Sequence, residues 1–177
     1  MKNNKIFFHN ALSEDHFKNI KNVFLSEYLP WNFTAGIVYG GVTGKKDFQF
    51  TLDIWSAMGV GNLQLPGNYT FNAILPILQI LEPAVLFRIK ANLRPKAHKL
   101  EESDWHCDND VPKASTAIYY IDTNDGYTKW KDGDKLRSKE NTLVVFPNHL
   151  EHLGTPCTNA NRRTFINFNF FSYKTFK

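Results

Sequence analysis

RRTFINFNFF, residues 162–171, alternates polar or small side chains with apolar ones, and its reading decides the fold. Successive side chains of an extended chain point to opposite faces, so Arg163, Phe165, Asn167 and Asn169 share one face. Arg162, Thr164, Ile166, Phe168 and Phe170 share the other. The second face reads as packing surface. If helices lie on it, the first face, with its Arg and two Asn, looks into the interior of a barrel or sandwich. A guanidinium held there needs an anionic partner, since leaving it unpaired costs several kcal/mol. On an edge strand the same side chains would only face water.

Working outward, the stretches AVLFRIKANL, STAIYYID, GYTKW, KLRS and NTLVVF precede this one from Ala84 onward and read as strands. NDG and DGD turns or polar loops join them, which predicts a meander of antiparallel hairpins. Toward the N-terminus, Ser13 followed by Glu14 and Asp15 marks a helix start, with a capping hydroxyl and acids in the first turn. Phe17, Ile20, Val23 and Phe24 continue at helical spacing to about Tyr28, and Pro30 ends the run. AGIVYGG and DFQFTLDIW read as two strands joined by a turn at VTGKK. A shorter helix is expected over 72–81, with Pro76 kinking or starting it. Helices first and strands afterwards predict an α+β, mainly β, arrangement in which helices cover one sheet of a sandwich or barrel.

With 177 residues, 42% hydrophobic and 21% charged, the chain is sized for one domain and is neither disordered nor supercharged. Its 15 Phe, 7 Tyr and 4 Trp suit a β-rich core. The net charge of +4 comes from scattered basic residues and names no nucleic acid by itself, although it leaves one possible. Cys107 and Cys157 form no CxxC pair, so a reducing compartment is the default. The N-terminal stretch has no signal-peptide core, and the apolar run FNAILPILQILEPAVLF is interrupted by Asn72, Pro76, Gln79, Glu82 and Pro83. The expectation is a soluble, cytoplasmic protein.

WHCDND, residues 105–110, carries the first chemical signal. On an extended backbone His106 and Asp108 converge while Cys107 faces away, which suits a metal; the triplet alone is better explained as a solvated loop. A third ligand is available in VVFPNHLEHLGT, where His149 and His152 would point opposite ways on an extended backbone, so only one faces inward. Two His and a carboxylate on a β scaffold match the facial triad of non-haem Fe(II) oxygenases. Zinc hydrolases use the same ligand set. Arg163 and the Asn side chains on its face separate the two, because a buried cation suits a dicarboxylate cosubstrate.

In combination these residues resemble the 2-oxoglutarate and Fe(II)-dependent oxygenases, specifically the prolyl-4-hydroxylase-like branch. The match runs from Leu86 to Phe171, about half the chain. The resemblance implies a double-stranded β-helix, or jelly roll, with N-terminal helices packed on one sheet. It implies one oxygenase domain over 1–177, with support in 1–83 and a catalytic core over about 84–172. His106, Asp108 and His152 correspond to the metal triad, His152 being preferred to His149 because HLGT is similar to the family's segment after the distal ligand. Arg163 corresponds to the basic residue that pairs with the distal carboxylate of 2-oxoglutarate, with Arg162 as the fallback. HCDND…TAIYYID is similar to the oxygen-sensing prolyl hydroxylases and implies that Tyr120 hydrogen-bonds that carboxylate, leaving Tyr119 to the core. Asn167 corresponds to a polar position beside the cosubstrate, and Asn92 is implied on the opposite wall. Arg94 replaces a tyrosine often found before the proline of that strand and is implied at the substrate end.

The implied activity is hydroxylation of a C–H bond using Fe(II), 2-oxoglutarate and O2, with release of succinate and CO2. A prolyl or other protein residue is the favoured substrate. The loop RPKAHKLEESDW is either a lid or a surface connection. The alternatives are a zinc-dependent hydrolase or non-catalytic metal-binding β-barrel, and a nucleic-acid-directed oxidative demethylase.

Overall fold

The computed structural model describes residues 5–36, 48–57 and 69–174. The first helix, α1 (Glu14–Phe24), buries Phe17, Ile20 and Phe24, the face its spacing predicts, and stops short of Tyr28. Ser13 occupies the N-cap position, but its hydroxyl meets the His16 ring instead of a backbone N–H. The second helix, α2 (Tyr69–Leu81), starts earlier than expected and carries Pro76 in its interior. No helix among the described residues is long and apolar enough to cross a membrane.

The strands are β1 (Ile6–His9), β2 (Asn32–Ala35), β3 (Phe48–Ser56), β4 (Val85–Pro95), β5 (Ser115–Tyr120), β6 (Tyr127–Trp130), β7 (Lys135–Arg137), β8 (Thr142–Pro147), β9 (His152–Gly154) and β10 (Arg162–Phe171). Of the predicted strand AGIVYGG only Ala35 and Gly36 are described, and the VTGKK turn lies outside the described residues. Seven strands form one sheet in the order β1-β8-β5-β10-β4-β3-β2, and three form a second in the order β7-β6-β9. All described strand pairs are antiparallel. This is a two-sheet jelly roll with helices on one side, not a meander. β5 pairs with β8 and β10, its neighbours in space and not in sequence. The cause lies in strands such as TLVVF, buried at every residue, which need cover on both faces that a single-sided meander cannot provide.

Alternation sorts the two cores. Ala117 and Tyr119 of β5, Leu143 and Val145 of β8, and Ile166, Phe168 and Phe170 of β10 pack with the helices. Ile118, Tyr120, Val144 and Phe146 turn the other way and meet Trp130 of the second sheet. β10 lies between β5 and β4, so its polar face is interior and the edge-strand reading fails. The register sets Arg163 opposite Arg94, Phe165 opposite Asn92, Asn167 opposite Lys90 and Asn169 opposite Arg88.

Candidate metal centre

His152 opens β9, a three-residue strand whose sequence carries no alternation signal and which the sequence reading missed. It is joined to His106 by a reciprocal bridge: His106 N–H donates to the His152 carbonyl at 3.0 Å, and His152 N–H donates to the His106 carbonyl at 2.9 Å. The imidazole centroids are 4.6 Å apart. Asp108 is not on a continued strand, contrary to the extended-backbone premise. It sits in a bend, and the chain beyond it is held by Asn148, whose Nδ2 donates to the Val111 carbonyl at 2.8 Å and to Asn109 Oδ1 at the same distance. Ligand atoms of His106, Asp108 and His152 all lie within 4.8 Å of one another, a group that could hold a metal ion. His149 is exposed in the turn before β9.

Hydrogen bonding prepares these groups for a cation. His106 Nδ1 is 3.1 Å from the Asp104 carbonyl, and His152 Nδ1 is 3.2 Å from the Leu150 carbonyl. A carbonyl only accepts, so each Nδ1 carries the proton and leaves Nε2 with its lone pair. Burial pushes the His152 imidazolium down, against the pull of Asp108. Burial opposes ionisation of Asp108 too, but His152, Arg88, His106 and a hydrogen bond from Asn169 outweigh it and hold the carboxyl below its usual range. Asn169 Nδ2 donates to Asp108 Oδ2 at 3.1 Å, and Arg88 Nη2 stands 3.8 Å from Oδ1.

A cavity of about 480 Å³ opens from the triad between the sheets, a size typical of small-molecule sites. At one end lies Arg163, 1% exposed. Its Nε donates to Ser138 Oγ at 2.6 Å, Nη1 to the Thr155 carbonyl at 2.8 Å and Nη2 to Thr128 Oγ1 at 3.1 Å. These partners are neutral, and among the described residues no carboxylate lies at ion-pair distance. A Cβ added to Gly154 would lie 3.2 Å from Arg163 Nη1, a tight approach that the guanidinium would have to accommodate. Arg162 faces away and donates to the Leu25 carbonyl at 2.8 Å. Tyr120 is buried beside Arg163, with its ring centroid 5.6 Å from the guanidinium carbon, and its hydroxyl donates to Thr128 Oγ1 at 2.8 Å. The cavity wall at that point is Thr128. Tyr119 donates to Asn141 Oδ1 within the helix-side core, as expected.

Asn92, Arg94 and Asn167 all line the cavity. So do Arg88, Lys90 and Asp53, which the sequence reading passed over, although the pleat of β4 puts residues 88, 90, 92 and 94 on one face. Burial pushes the Lys90 ammonium down, Arg88 adds to the effect, and Asp108 and Asp53 oppose it. The loop RPKAHKLEESDW is stitched down: Lys96 N–H donates to the Asn161 carbonyl, Ala97 N–H to Cys157 and Ser103 N–H to Gly154. It is a connection held to the body at several points.

Similar architecture occurs in solved structures. A 2OG-Fe(II) oxygenase family oxidoreductase from Burkholderia pseudomallei superposes with a TM-score of 0.66 and 12% identity, covering 94% of this chain and 84% of its own. A prolyl hydroxylase from Trichoplax adhaerens, in complex with a hypoxia inducible factor peptide fragment, gives 0.64 and 11%, covering 96% and 84%. The epimerase SnoN, in complex with Fe3+, alpha ketoglutarate and nogalamycin RO, gives 0.63 and 10%, covering 97% and 80%. The chain has the fold of the 2-oxoglutarate/Fe(II) oxygenases. No family model matches the sequence, and no curated protein sequence matches it. At these identities the shared property is the oxygenase fold itself.

Proposed function

We propose that this chain is an Fe(II)- and 2-oxoglutarate-dependent dioxygenase. His106 and His152, through Nε2, and the Asp108 carboxylate would hold Fe(II), and this donor set suits that ion. Arg163 would hold the distal carboxylate of 2-oxoglutarate, with Thr128 beside it and Tyr120 fixing the Thr128 hydroxyl. Asn167 and Asn92 would flank the cosubstrate, and Arg94 would face the remaining end of the cavity. The bound iron, with 2-oxoglutarate and O2, supplies oxidation of a C–H bond with release of succinate and CO2. The chain's own part is orientation and shielding: its two sheets close over the ligands and its buried cation fixes the cosubstrate's direction.

One observation carries this reading: a buried guanidinium with only neutral hydrogen-bond partners, at the end of a cavity that begins at a His-Asp-His cluster. A zinc hydrolase or a non-catalytic metal-binding barrel would account for the triad without needing that cation, and no described residue of the site favours a nucleic-acid demethylase specifically. The resemblance favours a prolyl or other protein residue as the group oxidised. A reducing, cytoplasmic setting belongs to the same proposal, consistent with Cys107 and Cys157 both being free thiols. Anaerobic titration tests the reading. Adding 2-oxoglutarate to the Fe(II)-loaded protein is expected to raise a visible charge-transfer band, and no band at saturating cosubstrate would hand the site to the zinc alternative.

A further inference from the structure

The residues lining the cavity fall into two groups on either side of the triad. One arm, between β10 and the second sheet, ends at Arg163; the other is the part lined by β4, β3 and β2, with Arg88, Lys90, Asp53, Thr51 and Thr34. Lys90 stands opposite Asn167 on β10 and opposite Asp53 on β3. Opposite charges directly across an antiparallel pair are normally close enough to attract one another. Here they do not close: among the described residues no carboxylate lies at ion-pair distance from Lys90 Nζ and no acceptor takes a hydrogen bond from it. Asp53 is exposed toward the same arm. Arg88 adds a second cation, its Nε donating to Asn169 Oδ1 at 3.2 Å and its Nη2 3.8 Å from Asp108. A cation bound by Asp108 would compete with Arg88 for that carboxylate and leave Arg88, like Lys90, in want of an anion.

Among the described residues the side chains of this arm are mostly hydroxyl, amide and charged groups, with Ala35 as an apolar exception. A prolyl residue inside a peptide would offer Lys90 backbone carbonyls but no counter-charge. A small zwitterion satisfies every group at once.

We propose that the arm over β2–β4 is the primary-substrate subsite and takes a free amino acid, its carboxylate on Lys90 and Arg88 and its ammonium on Asp53. The inference rests on the dioxygenase reading of the triad and Arg163. It departs from the protein-residue substrate that the resemblance favours. Lys90 and Asp53 are substrate-positioning residues, and the reaction class is hydroxylation of an amino-acid C–H bond brought to the metal by that pair.

The test uses the full chain loaded with Zn(II) and 2-oxoglutarate, with ligand-observed saturation-transfer NMR against the common L-amino acids, their carboxamides and their N-acetyl derivatives. At least one free amino acid is expected to bind, with its carboxamide and N-acetyl counterparts weaker. Lys90→Met should weaken the free acid about 30-fold or more, as loss of one partner of a shielded charge pair does. Asp53→Asn should weaken the free amino acid while leaving its N-acetyl derivative unchanged, a pattern that misfolding cannot produce. The same amino acid should raise succinate output by the Fe(II) protein. If wild type shows the charge-transfer band with 2-oxoglutarate but no free amino acid binds, or if binding ignores Lys90→Met, the subsite is wrong and the dioxygenase survives. If the band itself is missing, both fall.

Discussion

The two faces of β10 are both largely hidden and chemically opposite. Ile166, Phe168 and Phe170 are 0% exposed beneath the helices, while Arg163 and Asn169 are 1% exposed between the sheets. Burial therefore does not tell core from site; the accounting of polar partners does. The apolar face needs only close packing. On the polar face Arg163 and Asn169 are matched to groups on other segments, Ser138, Thr128 and Thr155 for Arg163 and Asp108 and Thr116 for Asn169, while the buried Asn167 Oδ1 finds no partner among the described residues. The Arg163 matches exist only when both sheets are in place. One face of the strand thus holds the domain together, and the other reads out that it has been assembled.

Substitutions on and around this strand can break that division. The largest effect is expected at the metal edge: His152→Ala should abolish Fe(II) binding and succinate formation, whereas His149→Ala should match wild type by iron titration and succinate assay. Exchange of those two results would move the third ligand. Phe168→Ala, on the apolar face, should cost about 3–5 kcal/mol in urea unfolding, with the cosubstrate affinity of the folded fraction unchanged. A mere 1 kcal/mol loss would mean the helices do not rely on that ring. Arg163→Ala should weaken 2-oxoglutarate roughly 30-fold or more in calorimetry while Fe(II) affinity stays near wild type; equal cosubstrate affinity would show that another cation does the binding. The smallest expected shift belongs to Asn169→Ala, which removes a hydrogen bond from a metal-facing carboxylate and should lower Fe(II) affinity about 10-fold. An unchanged affinity there would reduce Asn169 to a packing role.

Alternation made β10 legible, whereas Tyr119 and Tyr120, which lie on opposite sides of β5, were told apart by resemblance. Pairing partners were not legible, because a strand's own pattern says which faces are buried but not which neighbour covers them; hence the mistaken meander. Asp108 converges with His106 through a bend pinned by Asn148, a long-range contact with no local signature. Arg163 was found because an arginine in an alternating strand stands out. Thr128 and Ser138, which bind it, look like any surface hydroxyl. Lys90 and Arg88 were within reach, two and four residues before Asn92 on the same pleat, had the alternation of β4 been followed as far as that of β10.

The reciprocal backbone bridge between His106 and His152 fixes the spacing of the two imidazoles through main-chain hydrogen bonds. A His-Asp-His donor set does not by itself discriminate: affinity for divalent ions rises from Fe(II) through Co, Ni and Cu by ligand chemistry alone. Protein passed over a nickel resin should therefore emerge carrying the wrong ion, and chelation followed by anaerobic Fe(II) would restore it without refolding.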